Sequence, residues 1–276
     1  MKIAYLIMCH KNPHQVEQLI GRLLENGDHV YVHIDKKCGD FSLCKRENLY
    51  VLSDGERVSV GWAGISMMDA ELSLLKTAIA SGHEYGHYVL LSGEDYPLRD
   101  AAYISRYFAS QRESNFIEIL ESDEYRLGRY KKRNEIIFPE SIVGNSFAKR
   151  VIKNIYVICT GGYRKTFGVF KRENNTGLDF YYGSQWWALS REAAEWICGY
   201  LKEHPEVRTF FQYSLVPDEC MMQSLIMKSP YRNSVKPSLT YVEWGDDRNH
   251  PVYLTKEKVK CLEESDKYLF ARKIQC

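Results

Sequence analysis

The chain has 276 residues, enough for one large α/β domain or two small ones with a sizeable core. Its 26% charged and 45% apolar residues make an ordinary globular balance, and a net charge of +1 argues against bulk nucleic-acid binding. No apolar run is long enough to suggest a transmembrane helix.

The opening stretch, Met1 to Cys9, reads as a first buried strand rather than a signal peptide. His10 and Lys11 follow too early, and no small-residue cleavage site comes after them. The cysteines include no Cys-x-x-Cys pair, which argues against a zinc site; without an export signal they are expected as reduced thiols in a cytoplasmic protein. From Pro13, apolar residues Val16, Leu19, Ile20 and Leu23 recur at helical spacing, and Gly27 supplies a stop. Residues 30–35 form a second strand ending in the carboxylate of Asp35, and 49–52 a third. Strand, helix and strand in succession predict a mostly parallel sheet with right-handed crossovers, flanked by helices.

Ser66 is expected to cap a helix reaching Ala80, with Met68, Leu72, Leu75 and Ile79 inward. A strand over 87–91 runs into Ser92-Gly93-Glu94-Asp95-Tyr96-Pro97, a polar turn at the end of a strand where α/β sheets bind ligands. A helix over 100–109 and a strand over 115–119 follow. The middle, about 121–183, reads as an irregular basic excursion: between Arg126 and Arg172 twelve Lys and Arg stand against two Glu. Such asymmetry fits either a surface for an anionic partner, lipid headgroups or an acceptor diphosphate, or a solvated excursion. Order resumes with a strand at 185–189, a helix at 191–203, a helix opened by Pro217-Asp218-Glu219, a strand at 239–244 and a helix at 255–266.

Most nucleotide-sugar transferases of this layout hold a divalent metal on Asp-x-Asp, because hard cations take oxygen ligands. The chain has no Asp-x-Asp. Asp54-Gly55-Glu56 and Asp69-Ala70-Glu71 are looser versions, and the second is discounted because it lies within a predicted helix. If the substrate is a sugar diphosphate, fixed cations must meet the departing charge, and Arg272 and Lys273, right after Leu269-Phe270, are placed like cations delivered to a site at a helix end, or else form a frayed basic C-terminus. Glu219 is a candidate general base for an inverting transfer, or else an acid that complements a helix start. Asp35 is a candidate for a ribose or uracil contact, or else an Asx turn. Glu94 and Asp95 are adjacent, so in an extended chain they cannot enter the same pocket.

Several collinear segments carry a more specific signal. Val58-Ser59-Val60-Gly61-Trp62-Ala63-Gly64-Ile65-Ser66 is followed by Leu90-Leu91-Ser92-Gly93-Glu94-Asp95-Tyr96-Pro97-Leu98. Then come Gly128-Arg129-Tyr130-Lys131-Lys132-Arg133, Tyr182-Gly183-Ser184-Gln185-Trp186-Trp187, Pro217-Asp218-Glu219 and Phe270-Ala271-Arg272-Lys273. As an ordered set they resemble the core-2/I-branching β-1,6-N-acetylglucosaminyltransferase and peptide O-xylosyltransferase family (glycosyltransferase family 14), in a compact bacterial version without anchor or disulfides. The resemblance implies a single domain of GT-A type, with a nucleotide-binding part over about 1–120 and an acceptor and catalytic part over about 121–276. It implies a UDP-sugar donor, inversion to a β-linkage and no metal or other cofactor. By the same resemblance Glu219 is the catalytic base and Lys273 meets the donor diphosphate, with Arg248 or Arg272 as the second cation. Asp35 and Trp62 fall in the donor nucleoside region, and Glu118, Arg126, Arg129 and Trp244, with Glu94 and Asp95, on the acceptor side. A glycan or lipid-linked glycan acceptor for a surface polysaccharide is expected, with the basic 126–172 region approaching the inner face of an anionic membrane. A non-catalytic sugar- or nucleotide-binding module and a glycan hydrolase stand as alternatives.

Overall fold

The structure, a computed structural model, describes residues 1–120, 133–144, 146–159, 172–245 and 251–275. Its strands in chain order are β1 (Lys2–Cys9), β2 (His29–Ile34), β3 (Leu49–Val51), β4 (Tyr85–Ser92), β5 (Asp95–Pro97), β6 (Asn115–Ile117), β7 (Trp187–Ser190), β8 (Val235–Lys236), β9 (Thr240–Val242) and β10 (Phe270–Arg272). Seven of them pair in the order β3-β2-β1-β4-β7-β6-β8, and β5-β10-β9 make a second small sheet. In the large sheet β7 runs antiparallel to both neighbours and the remaining pairs are parallel. This mixed, mostly parallel sheet between helices is consistent with a GT-A-like fold.

Both faces of the sheet are covered, which is why β1 and β2 read as near-continuous apolar runs. Side chains alternate across a strand. Ala4 and Leu6 of β1 therefore face α2 (Ile65–Ala80), α5 (Arg191–Glu203), α6 (Pro205–Phe211) and α7 (Met221–Lys228). Ile3, Tyr5 and Ile7 face α1 (Pro13–Leu24) and α3 (Ala101–Ser110), whose Val16, Leu19, Ile20, Ile104 and Phe108 complete that layer. Each such aliphatic side chain contributes about 1.5–3 kcal/mol by leaving water.

Local chemistry sets the ends. Asn12 is left-handed (φ 53°) ahead of Pro13 in the first turn of α1, and Gly27 takes the positive φ of 72° that turns the chain after it. Ser190 accepts the Ala193 N–H at 3.3 Å, so α5 begins where the sequence places it. The cap of α2 is Gly64, not Ser66. The Ser66 hydroxyl is committed to the Gly61 N–H at 2.6 Å and to the Glu140 carboxylate. The middle of the chain is not wholly irregular: Phe147–Cys159 forms a helix, α4. Pro217–Glu219 is a separate 3-10 turn, because Cys220 (φ −142°) interrupts the chain before α7. The last helix, α8 (Lys256–Glu263), is capped by Thr255.

Candidate active site

The parallel strands β1, β2 and β4 end side by side. Asp35 donates its N–H to the Cys9 carbonyl at 2.9 Å, and Gly93 donates to Met8 at 3.0 Å. Ligands of α/β sheets gather at such carboxyl ends. Asp35 is buried, and its carboxylate accepts the Lys37 N–H at 2.9 Å and the Val60 N–H at 3.4 Å. It thus makes an Asx turn and at the same time holds the loop that carries Trp62. Trp62 is 48% exposed, an aromatic side chain at the corner where a nucleoside is expected.

Glu94 and Asp95 face opposite ways. Asp95 accepts the Ser92 N–H at 2.8 Å and hydroxyl at 2.7 Å and lies 3.6 Å from the Arg272 Nε. Arg272 is itself buried, its guanidinium 3.8 Å above the Trp186 ring, with Nε and Nη1 lacking a hydrogen-bond partner among the described residues. Burial raises the Asp95 pKa despite the arginine, and burial lowers that of Arg272. The pair joins β5 to β10 within the interior, which leaves the buried Asp95 carboxylate without the exposed face expected of an acceptor contact.

Glu94 instead gathers cations. Lys11 Nζ lies 3.0 Å from one carboxylate oxygen, Lys273 Nζ 3.7 Å from the other, and the Tyr253 hydroxyl donates to it. Burial pushes the Glu94 pKa up, but the bonds from Tyr253 and Lys11 and the charge of Lys273 outweigh it and leave the pKa below the usual value. The fields of Lys11, Glu94, Asp35 and Lys273 all reach His10, whose pKa desolvation and Lys11 hold below the ordinary histidine value. Two ammonium groups therefore stand beside the corner that holds Asp35. Lys11 escaped the sequence reading; its place just past the first strand's carboxyl end was the available signal.

Glu219 sits on its 3-10 turn with a carboxylate oxygen 2.6 Å from Arg133 Nη1, partly open to solvent. Its carbonyl accepts the Gly183 N–H at 3.0 Å. The turn is launched by Val216, left-handed at φ 57°, whose N–H bonds Ala63, left-handed at φ 60°, at 2.9 Å. A β-branched residue in that region is strained. The bond ties the Trp62 loop to the Glu219 turn. Behind Glu219, Asp218 is buried and its pKa is raised to about 7, by burial first and by the Glu219 charge second. Glu71 of α2 is buried close by, accepting Gln185 Nε2 at 2.7 Å and Trp187 Nε1 at 3.3 Å. Burial, with the Asp218 charge, raises its pKa well above the ordinary value. Sequence reasoning weighed Glu71 only within Asp69-Ala70-Glu71 and discounted it, although its i+3 spacing from Met68 put it on the inner face of α2.

One short segment joins the two clusters. Gly183 holds Glu219, Ser184 accepts Gln223 Nε2 at 2.7 Å, Gln185 bonds Glu71, and Trp186 underlies Arg272 beside Lys273. Even fully extended, at ~3.3 Å per residue, this segment holds the anchor points of Glu219 and Arg272 within about 10 Å of each other. A groove of about 800 Å³ opens at Ser184 and takes in Glu118, Tyr107, Tyr241, Trp244 and Lys267. Glu118 and Trp244 thus meet in one groove beside the Glu219 turn. Arg126, Arg129 and Arg248 lie outside the described residues. Among the described residues no cluster of three His, Cys, Asp or Glu could hold a metal ion.

Known proteins resemble this chain in sequence. Residues 3–264 match the family described as Branch: Core-2/I-Branching enzyme. Xylosyltransferase 2 of Rattus norvegicus is 21% identical over 258 residues, covering 89% of this chain and 27% of its own length. Xylosyltransferase 1 of Mus musculus is 20% identical over 256 residues, and that of Homo sapiens 19% over 253, each covering 89% of this chain and 24% of its own length. The chain spans about a quarter of the length of these curated relatives. With a family match running almost end to end, the chain belongs to the core-2/I-branching enzyme family.

Proposed function

We propose that the protein is an inverting, metal-independent glycosyltransferase that moves N-acetylglucosamine or xylose from a UDP donor to a hydroxyl of a glycan or lipid-linked glycan, forming a β-linkage. The observation that carries this reading is a partly exposed carboxylate, Glu219, linked through residues 183–186 to a site with two ammonium groups. Glu219 takes the proton of the acceptor hydroxyl as its oxygen attacks the anomeric carbon. The bond from that carbon to the diphosphate breaks on the opposite face, and the electron pair leaves with UDP. Lys273 and Lys11 meet the charge that develops there, an electrostatic contribution that needs no bound ion. Asp35 and Trp62 hold the nucleoside, and the Glu118–Trp244 groove receives the acceptor. Supporting the metal-free route are the absence of Asp-x-Asp from the sequence and the two lysines set on Glu94.

The test is a panel of UDP-sugars incubated with the protein and excess EDTA. Consumption of one donor, with UDP released beside an enlarged acceptor, is the expected result. Activity lost to EDTA and restored by manganese would overturn the cation account; no donor consumed under either condition would favour a binding module. Lys273→Ala gives a second check. Loss of one charge-assisted contact costs about 1.5–3 kcal/mol, so the donor KM should rise roughly ten- to hundredfold with the acceptor KM little changed. An unaltered donor KM would remove Lys273 from the diphosphate site.

A further inference from the structure

We propose that α4 is an interfacial anchor that seats the protein on an anionic lipid bilayer. The helix is amphipathic in the reverse of the usual sense. Phe147, Val151, Ile155 and Ile158 recur on one stripe, flanked by Ile152, and this stripe faces outward. Phe147 is 83% exposed, Ile158 72% and Ile155 52%. The opposite side meets the protein: Val157 is buried, the Tyr156 hydroxyl donates to the Ile137 carbonyl at 3.1 Å, and Lys149 Nζ donates to Val143 at 2.8 Å. A surface helix ordinarily turns its apolar stripe to the core. An outward stripe of five large apolar side chains marks an interaction surface.

Charge selects the occupant. The helix carries Lys149, Arg150 and Lys153 and no acid. Between residues 126 and 172 fall twelve of the 37 Lys and Arg but only two of the 36 Asp and Glu. A second copy docked symmetrically on this face would set that positive segment against itself. An acidic bilayer attracts it, while the remaining chain, richer in acids, is turned away. At 13 residues the helix is about 20 Å long, too short to span a bilayer and suited to lie in its surface. No helix among the described residues is long and apolar enough to cross a membrane.

The placement has a use. Helix α4 rests on residues 133–144, and the same segment reaches the site: Glu140 bonds Ser66 at the start of α2, and Arg133 pairs with Glu219. A bilayer under α4 would bring a lipid-linked acceptor to the side on which the base lies. That use rests on the transferase reading; the lipid contact does not, and it is measured without any nucleotide.

The test is co-sedimentation of the full chain with vesicles of equal parts phosphatidylcholine and phosphatidylglycerol, against phosphatidylcholine alone. Wild-type protein should sediment with the mixed vesicles and be released by high salt. An Ile155→Asp, Ile158→Asp double variant, altered only at solvent-facing positions, should lose at least about tenfold in partitioning while keeping its circular dichroism and its turnover of a water-soluble acceptor. Equal sedimentation of wild type and variant, or none with either vesicle, would overturn the proposal. So would a wild-type dimer that the double variant dissolves, because the stripe would then be covered by a second copy. Failure of the transferase reading would show separately, as absent turnover in solution.

Discussion

Replacing Glu219 by glutamine should lower turnover by roughly 10²- to 10⁴-fold, the usual worth of a general base, while the protein stays folded. Glutamine keeps the shape of the side chain and can still accept a hydrogen bond from Arg133, now 2.6 Å from the carboxylate. The carbonyl of residue 219 would go on receiving the Gly183 N–H, so the turn should hold. What the amide cannot do is take a proton from the acceptor. Asp218 is a poor substitute, since it is buried behind the turn. The variant should also lower the Asp218 pKa from its value near 7, because burial remains but the neighbouring charge is gone. Single-turnover release of UDP, with thermal melting as the control for folding, checks both halves. Near-normal turnover would take Glu219 out of the mechanism and leave the 183–186 link without a chemical purpose.

Gly183→Ala should be the most damaging single methyl addition near the site. A Cβ at residue 183 would stand 1.8 Å from the Glu118 carbonyl oxygen and 2.7 Å from its carbon, with Gln223 Nε2 at 3.3 Å. The first two are backbone atoms, so neither can swing aside as a flexible side chain would. Overpacking of this kind costs about 1–3 kcal/mol or more, and for a chain of this size about 3 kcal/mol corresponds to a fall in Tm of roughly 6–12 °C. Because the Gly183 N–H holds the Glu219 carbonyl and the Glu118 side lines the groove, activity should fall even at temperatures where the variant is folded. A variant with unchanged Tm and unchanged kcat would mean that the two backbone segments at Glu118 and Gly183 can part at no cost, contrary to the packing described.

Much of this architecture was legible before any coordinates. The β1, α1 and β2 succession follows from apolar periodicity, and α5 follows from Ser190 and the pattern after it, because caps and amphipathic faces are local properties. Elements decided by distant partners were not legible. Asp95–Pro97 reads as a polar turn and becomes a strand only by pairing with β10, some 175 residues later in the chain. Ser66 has the chemistry of a cap, yet its hydroxyl goes to Gly61 and Glu140, the second of which no local rule could bring near. At the site Glu219, Lys273 and Asp35 could be singled out as candidates from the sequence, but the gathering of Lys11 and Lys273 on Glu94 could not. A carboxylate that sorts two cations from opposite ends of the sequence leaves no trace in spacing. The apolar residues of α4 carried a visible period, obscured by the basic composition around them.

The late strand β10 has a consequence for when the protein can first work. It lies between β5 and β9, turning Arg272 inward to Asp95 and delivering Lys273 to Glu94. During synthesis the β1, β2 and β4 layer can assemble as it leaves the ribosome, but the Glu94 cluster lacks one of its ammonium groups until residue 273 has emerged. Fragments stopped short of that point would carry a largely formed sheet and the Glu219 turn, and under the proposed transferase reading they should grip the donor weakly.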